Sequence, residues 1–248
     1  MEIKENWQEE FFIDGWDKLQ DDFPVNQRSH QEAEFIDRIA KPRGYNKVLD
    51  IPCGTGRLSI ELAKIGYDIT GIDFNPNAIK KAEARAKELN LSNTNWIVGD
   101  MRNIIYKEDF DLVTCMWGSI GYYSDEENFK FFKSCADALR DKGAFILDTY
   151  TLENIMRIYS SKDVIEAGDN YVFEEREFDF HTSRVNTKWT MFIDGKKLVR
   201  TGSIRIYTYK ELTDMLNKAG FNNFLSFGGI NDEKFTIDSR RLELIAIK

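Results

Sequence analysis

Cysteines and long apolar runs are scarce in this sequence. Its three cysteines, Cys53, Cys115 and Cys135, form no Cys-x-x-Cys pair. An odd number without paired spacing supports neither a disulfide framework nor a zinc site, so we expect a reducing compartment and no metal. No uncharged stretch approaches the roughly 20 residues that cross a bilayer, and the first residues lack the apolar core of a signal peptide. We therefore expect a cytoplasmic protein that does not bind membranes.

Positive charge is also in deficit. The 248 residues carry a formal net charge of -8, and the isoelectric point is about 5.0. Such a balance opposes general binding to a polyanion, because phosphate recognition normally requires a basic surface. We expect no nucleic acid partner. With 42% hydrophobic and 31% charged residues, the chain is predicted to be globular, as a monomer or weak homodimer.

Residues 47–150 alternate short β-branched runs with segments of helical period, which is typical of parallel strands joined through helices. The predicted strands are 47–51, 68–73, 96–100, 110–116 and 144–149. This pattern predicts an α/β fold with a doubly wound, Rossmann-like, mostly parallel sheet. Two further strands, at 223–227 and 242–247, would bring it to seven.

After residue 150 apolar and polar residues alternate, which is typical of antiparallel strands. The predicted strands are 171–180, 184–193 and 197–207, with Asp194-Gly195 as a hairpin turn. We expect three regions. They are an N-terminal helical cap (1–46), a cofactor domain (47–150 and 208–248), and an antiparallel insertion (151–207) that covers the substrate together with a helix at 16–28.

Three helix starts are predicted from capping boxes, in which a hydroxyl residue is followed three positions later by a glutamate. They are Ser29-x-x-Glu32, Ser124-x-x-Glu127 and Thr208-x-x-Glu211.

A glycine turn follows the first predicted strand, in segment 48–57, which reads Val-Leu-Asp-Ile-Pro-Cys-Gly-Thr-Gly-Arg. Glycine adopts positive φ cheaply and lets backbone N–H groups approach a ligand. Asp73 ends the second strand, 23 residues after Asp50, where a carboxylate can accept both hydroxyls of an adenosine ribose. Ser59 replaces the third glycine of a dinucleotide fingerprint, and Asp50 would repel a diphosphate but suit a cation. The turn therefore favours S-adenosylmethionine over a dinucleotide.

Segments 49–56, 71–73 and 98–102 read Leu-Asp-Ile-Pro-Cys-Gly-Thr-Gly, Gly-Ile-Asp and Val-Gly-Asp-Met-Arg. In this order they resemble the cofactor motifs of class I S-adenosylmethionine-dependent methyltransferases, and 110–117 is similar to that family's fourth-strand motif. Pro52 departs from the small residue that is commonest there. The resemblance implies that Asp50 and the turn hold the methionine part and Asp73 the ribose, and that Phe74, Asp100 and Met101 flank the adenine. The implied cofactor-binding residues are Asp50, Pro52, Cys53, Gly54, Gly56, Arg57, Asp73, Phe74, Asp100, Met101, Arg102, Cys115 and Trp117.

A wider resemblance rests on segments 118–123, 174–179 and 204–208, which read Gly-Ser-Ile-Gly-Tyr-Tyr, Glu-Glu-Arg-Glu-Phe-Asp and Ile-Arg-Ile-Tyr-Thr. They look like a bacterial subgroup of small-molecule methyltransferases that includes amino-sugar and glycine-type N-methyltransferases. This resemblance implies an amine acceptor. Tyr122 departs from the histidine that follows in the amino-sugar enzymes, so their catalytic base does not carry over.

Candidates for the acceptor site follow the fourth strand or lie in the flanking segments. They are Trp16, Arg28, Trp117, Tyr122, Arg176, Arg205 and Tyr207. Candidate catalytic groups are Tyr122, Tyr123 and His181, although His181 falls in a predicted turn, where a solvated side chain is the simpler interpretation.

Several functions stay open from the residues alone. The methyl group can go to nitrogen or to oxygen, and a cofactor-binding protein without catalysis would carry the same turn. A nicotinamide-dependent oxidoreductase on a similar sheet is the remaining alternative, favoured by the glycine turn and Asp73 but opposed by Asp50.

Overall fold

The computed structural model describes residues 1–16, 19, 20, 28–193 and 195–248, and it contains two β-sheets. The strands are β1 Lys47–Asp50, β2 Asp68–Asp73, β3 Thr94–Val98, β4 Phe110–Cys115, β5 Leu139–Thr149, β6 Lys162–Ala167, β7 Asn170–Asp179, β8 Arg184–Ile193, β9 Lys196–Arg205, β10 Asn223–Phe227 and β11 Leu242–Ile247. The helices are α1 Trp7–Asp14, α2 Ser29–Ala40, α3 Arg57–Lys64, α4 Pro76–Glu88, α5 Asp125–Ala138, α6 Leu152–Ile158 and α7 Tyr209–Ala219, with 3₁₀ turns at Lys41–Arg43 and Met101–Asn103. Within these described ranges, no helix is long and apolar enough to cross a membrane.

The larger sheet has seven strands in the order β10-β11-β5-β4-β1-β2-β3, and β11 runs antiparallel to both of its neighbours. This confirms the doubly wound, mostly parallel sheet predicted from the sequence. The order reverses beside β1, which pairs in parallel with β2 on one side and β4 on the other. In such sheets ligands bind beyond the carboxyl ends of the strands at the reversal. The topology therefore places the predicted glycine turn at this edge.

Both faces of the large sheet are covered by helices, which explains why its strands are apolar on both sides. On β5, Phe145 and Leu147 face one core and Ala144 and Ile146 face the other, as expected from the two-residue period of a strand. The first core includes Phe131 of α5, and the second core is closed by α2 and α3.

The smaller sheet has four antiparallel strands in the order β6-β7-β8-β9. The prediction of three strands was wrong, because β6 lies at the sheet edge, is largely exposed and lacks apolar alternation. The β8–β9 hairpin is present, with Ile193 opposite Lys196, whereas Asp194 itself lies outside the described residues. Helix α1 packs on this sheet through Trp7 and Phe11. The helix predicted at 16–28 falls largely outside the described residues.

Two of the three predicted capping boxes are confirmed, at Ser124 with Glu127 and at Thr208 with Glu211. The third was wrong, although α2 does begin at Ser29. Its N-cap is Arg28, without a side-chain cap bond. The side chains of Ser29 and Glu32 instead accept hydrogen bonds from the Arg57 guanidinium of α3. An ion pair between two helices thus replaces the local cap.

Candidate functional site

The turn after β1 is tightly packed around its glycines. Gly54 and Gly56 have φ of +55° and +74°, and the Ile51–Pro52 peptide bond is cis. A Cβ on Gly56 would lie 2.6 Å from the Trp96 ring and 2.9 Å from Cβ of Ala82. Only glycine fits this position, because a side chain there would meet both strain and collision.

Asp73 connects the turn to the end of β2. Its Oδ2 accepts a hydrogen bond from the Gly54 N–H, and its Oδ1 accepts one from the Asn75 N–H, both at 2.9 Å. Burial raises the pKa of this carboxyl, whereas the two backbone donors lower it. The Asn75 side chain in turn caps α4. Asp73 therefore holds the turn and carries carboxylate oxygens at the sheet edge.

Asp50 is held between two hydroxyls. Ser59 Oγ donates to its Oδ2 at 2.5 Å, and Thr114 Oγ1 donates to its Oδ1 at 2.8 Å. Burial raises the pKa of Asp50 to about 6 against the lowering effect of these bonds. Ser59, which sequence reasoning noted only as a missing glycine, thus supports Asp50.

A cavity of about 490 Å³ lies between the strand ends and the smaller sheet. Of the predicted cofactor residues, those lining it are Asp50, Pro52, Cys53, Gly54, Arg57, Asp73, Phe74, Met101 and Trp117. Of the predicted acceptor and catalytic residues, those lining it are Trp16, Trp117, Tyr122, Tyr123 and Arg176. The structure therefore brings most of the predicted site to one cavity.

Four predicted cofactor residues lie away from this cavity. Gly56 packs behind the turn, and Cys115 is buried in β4. Asp100 and Arg102 form an ion pair at 2.6 Å and border a neighbouring polar cavity with Phe74. Burial raises the pKa of Asp100, but the hydrogen bonds and charge of Arg102 together outweigh burial and lower the pKa.

Four candidates for the acceptor site or for catalysis are also elsewhere. Arg205 pairs with Glu211 at 2.7 Å, and its guanidinium lies 4.4 Å from the centre of the Tyr207 ring. Tyr207 is buried, and its hydroxyl donates to Asp125 and accepts from Asn128. These contacts stabilise the packing around α5 and α7, and neither Arg205 nor Tyr207 lines the cavity.

The other two of these four also lie outside the cavity lining. His181 is exposed in the β7–β8 turn, as the simpler interpretation predicted. Arg28, the N-cap of α2, does not border the cavity.

Tyr122 and Tyr123 remain protonated near neutral pH. Burial raises the pKa of both phenols, to about 12 for Tyr123. The Arg102 guanidinium lies 4.3 Å from the centre of the Tyr123 ring. Neither phenol is suited to accept a proton as a phenolate.

An aromatic wall from α1 and β8, which sequence reasoning missed, faces the strand ends across the cavity. Trp7 stacks on Trp189 with ring centres 6.3 Å apart, and Phe11 lies 4.3 Å from Trp189. The alternation of β8 predicts an inward-facing Trp189, but nothing in the sequence pairs it with residues more than 170 positions away. Tyr150 and Asp163 also line the cavity and were not predicted.

Comparison with known proteins agrees with this geometry. Residues 48–143 match the model of a methyltransferase domain. A glycine/sarcosine N-methyltransferase of Parasynechococcus marenigrum is 29% identical over 189 residues, which cover 68% of this chain and 64% of that protein.

Two solved structures share the fold. An S-adenosylmethionine-dependent methyltransferase from Clostridium acetobutylicum has a TM-score of 0.80 at 20% identity, covering 94% of this chain and 95% of that one. An amino pentose methyltransferase from Micromonospora echinaspora, with S-adenosylmethionine bound, has a TM-score of 0.67 at 21% identity, covering 88% and 91%. Residues 48–143 thus match a methyltransferase domain, and the described chain has the fold of S-adenosylmethionine-dependent methyltransferases.

Proposed function

We propose that this enzyme transfers the methyl group of S-adenosylmethionine to the nitrogen of a small amine. The observation that carries the proposal is the cavity of about 490 Å³, which joins the glycine turn to an aromatic wall. A cavity of this size and shape suits a cofactor and a small acceptor rather than a polymer. The glycine/sarcosine N-methyltransferase relative supports nitrogen as the acceptor atom.

The residues around the turn fit the cofactor. Carboxylates at Asp50 and Asp73 complement a ligand whose sulfonium and ammonium groups are cationic. Gly54 has no side chain between its backbone and the cavity. A Cβ added there would lie 3.6 Å from Gln20 Oε1, which is an ordinary van der Waals distance, so it would extend into the cavity. We assign Asp73 to the ribose hydroxyls, Phe74 and Met101 to the adenine, and Asp50 with the turn to the methionine part.

The protein itself contributes by aligning the acceptor with the methyl group of the cofactor and by excluding water from the cavity. The bound cofactor supplies an activated methyl group, so little covalent chemistry falls to protein side chains. Helix α1 and the smaller sheet cover the cavity opposite the strand ends and restrict the acceptor's orientation, which is a large source of rate acceleration. A neutral amine already carries the attacking lone pair, so the enzyme need only let its proton reach solvent afterwards.

Incubation of the protein with methyl-labelled cofactor and a small-molecule extract tests the proposal. We expect label in one or a few amines, identified by mass and fragmentation as N-methyl products. Asp73→Ala is the matched control, since it should lose both cofactor binding and labelling. Label on oxygen would contradict the amine assignment. Tight binding of S-adenosylhomocysteine without any labelled product would support a binding protein that does not catalyse.

A further inference from the structure

We infer that the acceptor is an amine carried on an apolar, ring-bearing body that has no carboxylate of its own. This inference rests on the proposed N-methylation and names the substrate class within it. It follows from two features of the cavity, which are the composition of its wall and the pairing of its cations.

The wall opposite the glycine turn is built from aromatic rings. Trp7, Phe11 and Trp189 form a packed group, and Trp16 approaches Trp117 with ring centres 5.5 Å apart. Ile155 and Ile158 of α6 extend the apolar surface. The faces of aromatic rings bind apolar rings because apolar surface is buried between them. They also attract ammonium groups, through the electrostatic field of the ring quadrupole. This wall therefore suits a bulky amine better than a small zwitterion.

Arg176 lines the cavity, and two carboxylates neutralise it. Its guanidinium is ion-paired with Glu174 of the same strand and lies 3.5 Å from Asp163 of β6. It also donates to the backbone carbonyl of Ser160. Glu174 is itself fixed, because Trp189 Nε1 donates to its Oε1 at 2.7 Å. These contacts link β6, β7 and β8. Because the Arg176 guanidinium is already paired with carboxylates of the protein, it is not available to bind a carboxylate of the acceptor.

Arg57 is the other cation among the described residues that line the cavity, and it too is paired. It contacts the buried carboxylate of Glu32, and its Nη1 donates to Ser29 Oγ at 3.2 Å. It lies at the glycine turn, at the cofactor end.

The described lining thus has three carboxylates, Asp50, Asp73 and Asp163, against two guanidiniums that each have a carboxylate partner. A carboxylate on the acceptor would be repelled by these three carboxylates, and neither guanidinium of the described lining would be free to pair with it.

Matched amines that differ only in a carboxylate test this inference. Phenethylamine is compared with phenylalanine, and tryptamine with tryptophan, with glycine as the smallest zwitterion. Binding to the protein saturated with S-adenosylhomocysteine is measured by calorimetry, alongside methyl transfer. We expect each amine to bind at least about tenfold more tightly than its amino acid. Equal or tighter binding of the amino acids, tight binding of glycine, or no binding of either amine at millimolar concentration would overturn the inference.

A second experiment removes the carboxylates that pair with Arg176, so that its guanidinium becomes free to bind an amino acid carboxylate. The double variant Glu174→Gln and Asp163→Asn keeps an acceptor for Trp189 Nε1 but removes both carboxylates, so the preference for amines over amino acids should shrink by about tenfold. Glu175→Gln is the matched control, because Glu175 pairs at 2.5 Å with Lys188 instead and should leave the preference unchanged. Asp163→Asn alone, at a half-exposed edge position, gives the same direction if the double variant does not fold. An unchanged preference in both Asp163 variants would contradict the role of Arg176.

The two proposals fail differently. If amines bind but neither they nor any extract component receives label, the proposed function is wrong and the ligand preference stands. If amino acids are bound and methylated in preference to amines, the enzyme is an N-methyltransferase and only the inference is wrong.

Discussion

The backbone N–H of Trp117 donates a hydrogen bond of 2.9 Å to Oδ2 of Asp148. Trp117 has φ of +63°, a left-handed conformation that is rare for a bulky side chain. The other oxygen of Asp148 accepts from Nε of Arg241 at 2.6 Å, and the Arg241 guanidinium lies 4.2 Å from the centre of the Tyr150 ring. Trp117 and Tyr150 both line the cavity. A buried ion pair between β5 and the start of β11 therefore supports the cavity wall.

Asp148→Asn is expected to destabilise the protein by about 3 kcal/mol, because it removes the carboxylate that pairs with the buried Arg241 guanidinium. Urea unfolding measures the change. The matched control is Asp214→Asn, whose exposed pair with Lys210 on α7 should be worth less than about 1 kcal/mol. We also expect the KM for the cofactor or acceptor to rise as the Trp117 turn relaxes. Equal stability losses in the two variants would contradict the role of Asp148.

Gly56→Ala is expected to destabilise the protein by more than about 3 kcal/mol, since overpacking adds to the cost of positive φ. The clash is with Trp96 and Ala82. Gly44→Ala is a close control, because Gly44 has φ of +69° and an added Cβ would meet no atom within 4 Å. It should cost about 1 kcal/mol, the conformational part alone. Thermal or urea unfolding separates the two terms, and similar losses would show that packing against Trp96 is unimportant.

The sequence predicted best where local rules and tertiary packing agree. The five parallel strands, the glycine turn and Asp73 at the end of β2 follow from apolar runs and spacing, and the structure has them. The start of β5 was predicted five residues late, at 144 rather than Leu139, because its first residues are mostly charged and exposed.

What the sequence could not predict depends on distant partners. Ser29 and Glu32 have the spacing of a capping box, but Arg57 binds both of them. The aromatic wall joins Trp7 to Trp189, and Asp148 joins Trp117 to Arg241. These partners are far apart in the sequence, so the short-range periodicity of helices and strands does not predict their contacts. The residues that line the cavity at the strand ends were therefore largely predictable, whereas the aromatic wall and the residues that support Trp117 were not.

Asp73→Ala is expected to weaken S-adenosylhomocysteine binding by at least about 100-fold, as a buried acceptor for the ribose hydroxyls is removed. Calorimetric titration measures the affinity. Because Asp73 also accepts from the Gly54 and Asn75 N–H groups, some stability will be lost too. Asp68→Ala, at the exposed start of the same strand, is the control and should leave affinity unchanged. Full binding by a folded Asp73→Ala protein would remove Asp73 from the cofactor site.

The pH dependence of stability follows from Asp50. Its pKa in the folded protein is about 6, raised by burial from a reference of 3.8. A raised carboxyl pKa means that the folded state favours the protonated form. The contribution of protonated Asp50 to the free energy of unfolding is therefore fully present below about pH 4 and is lost as pH rises through about 6. A shift of about two units corresponds to about 3 kcal/mol.

Asp50→Asn isolates this contribution, because asparagine does not titrate and the other acids cancel in the difference between the two proteins. We expect the wild-type free energy of unfolding, relative to that of the variant, to fall by about 3 kcal/mol between pH 3 and pH 7. Urea unfolding at several pH values measures it. A constant difference would show that Asp50 titrates near its ordinary pKa. The ionised carboxylate also attracts a cationic cofactor, so S-adenosylmethionine binding should strengthen through pH 6 in the wild type and stay flat in the variant.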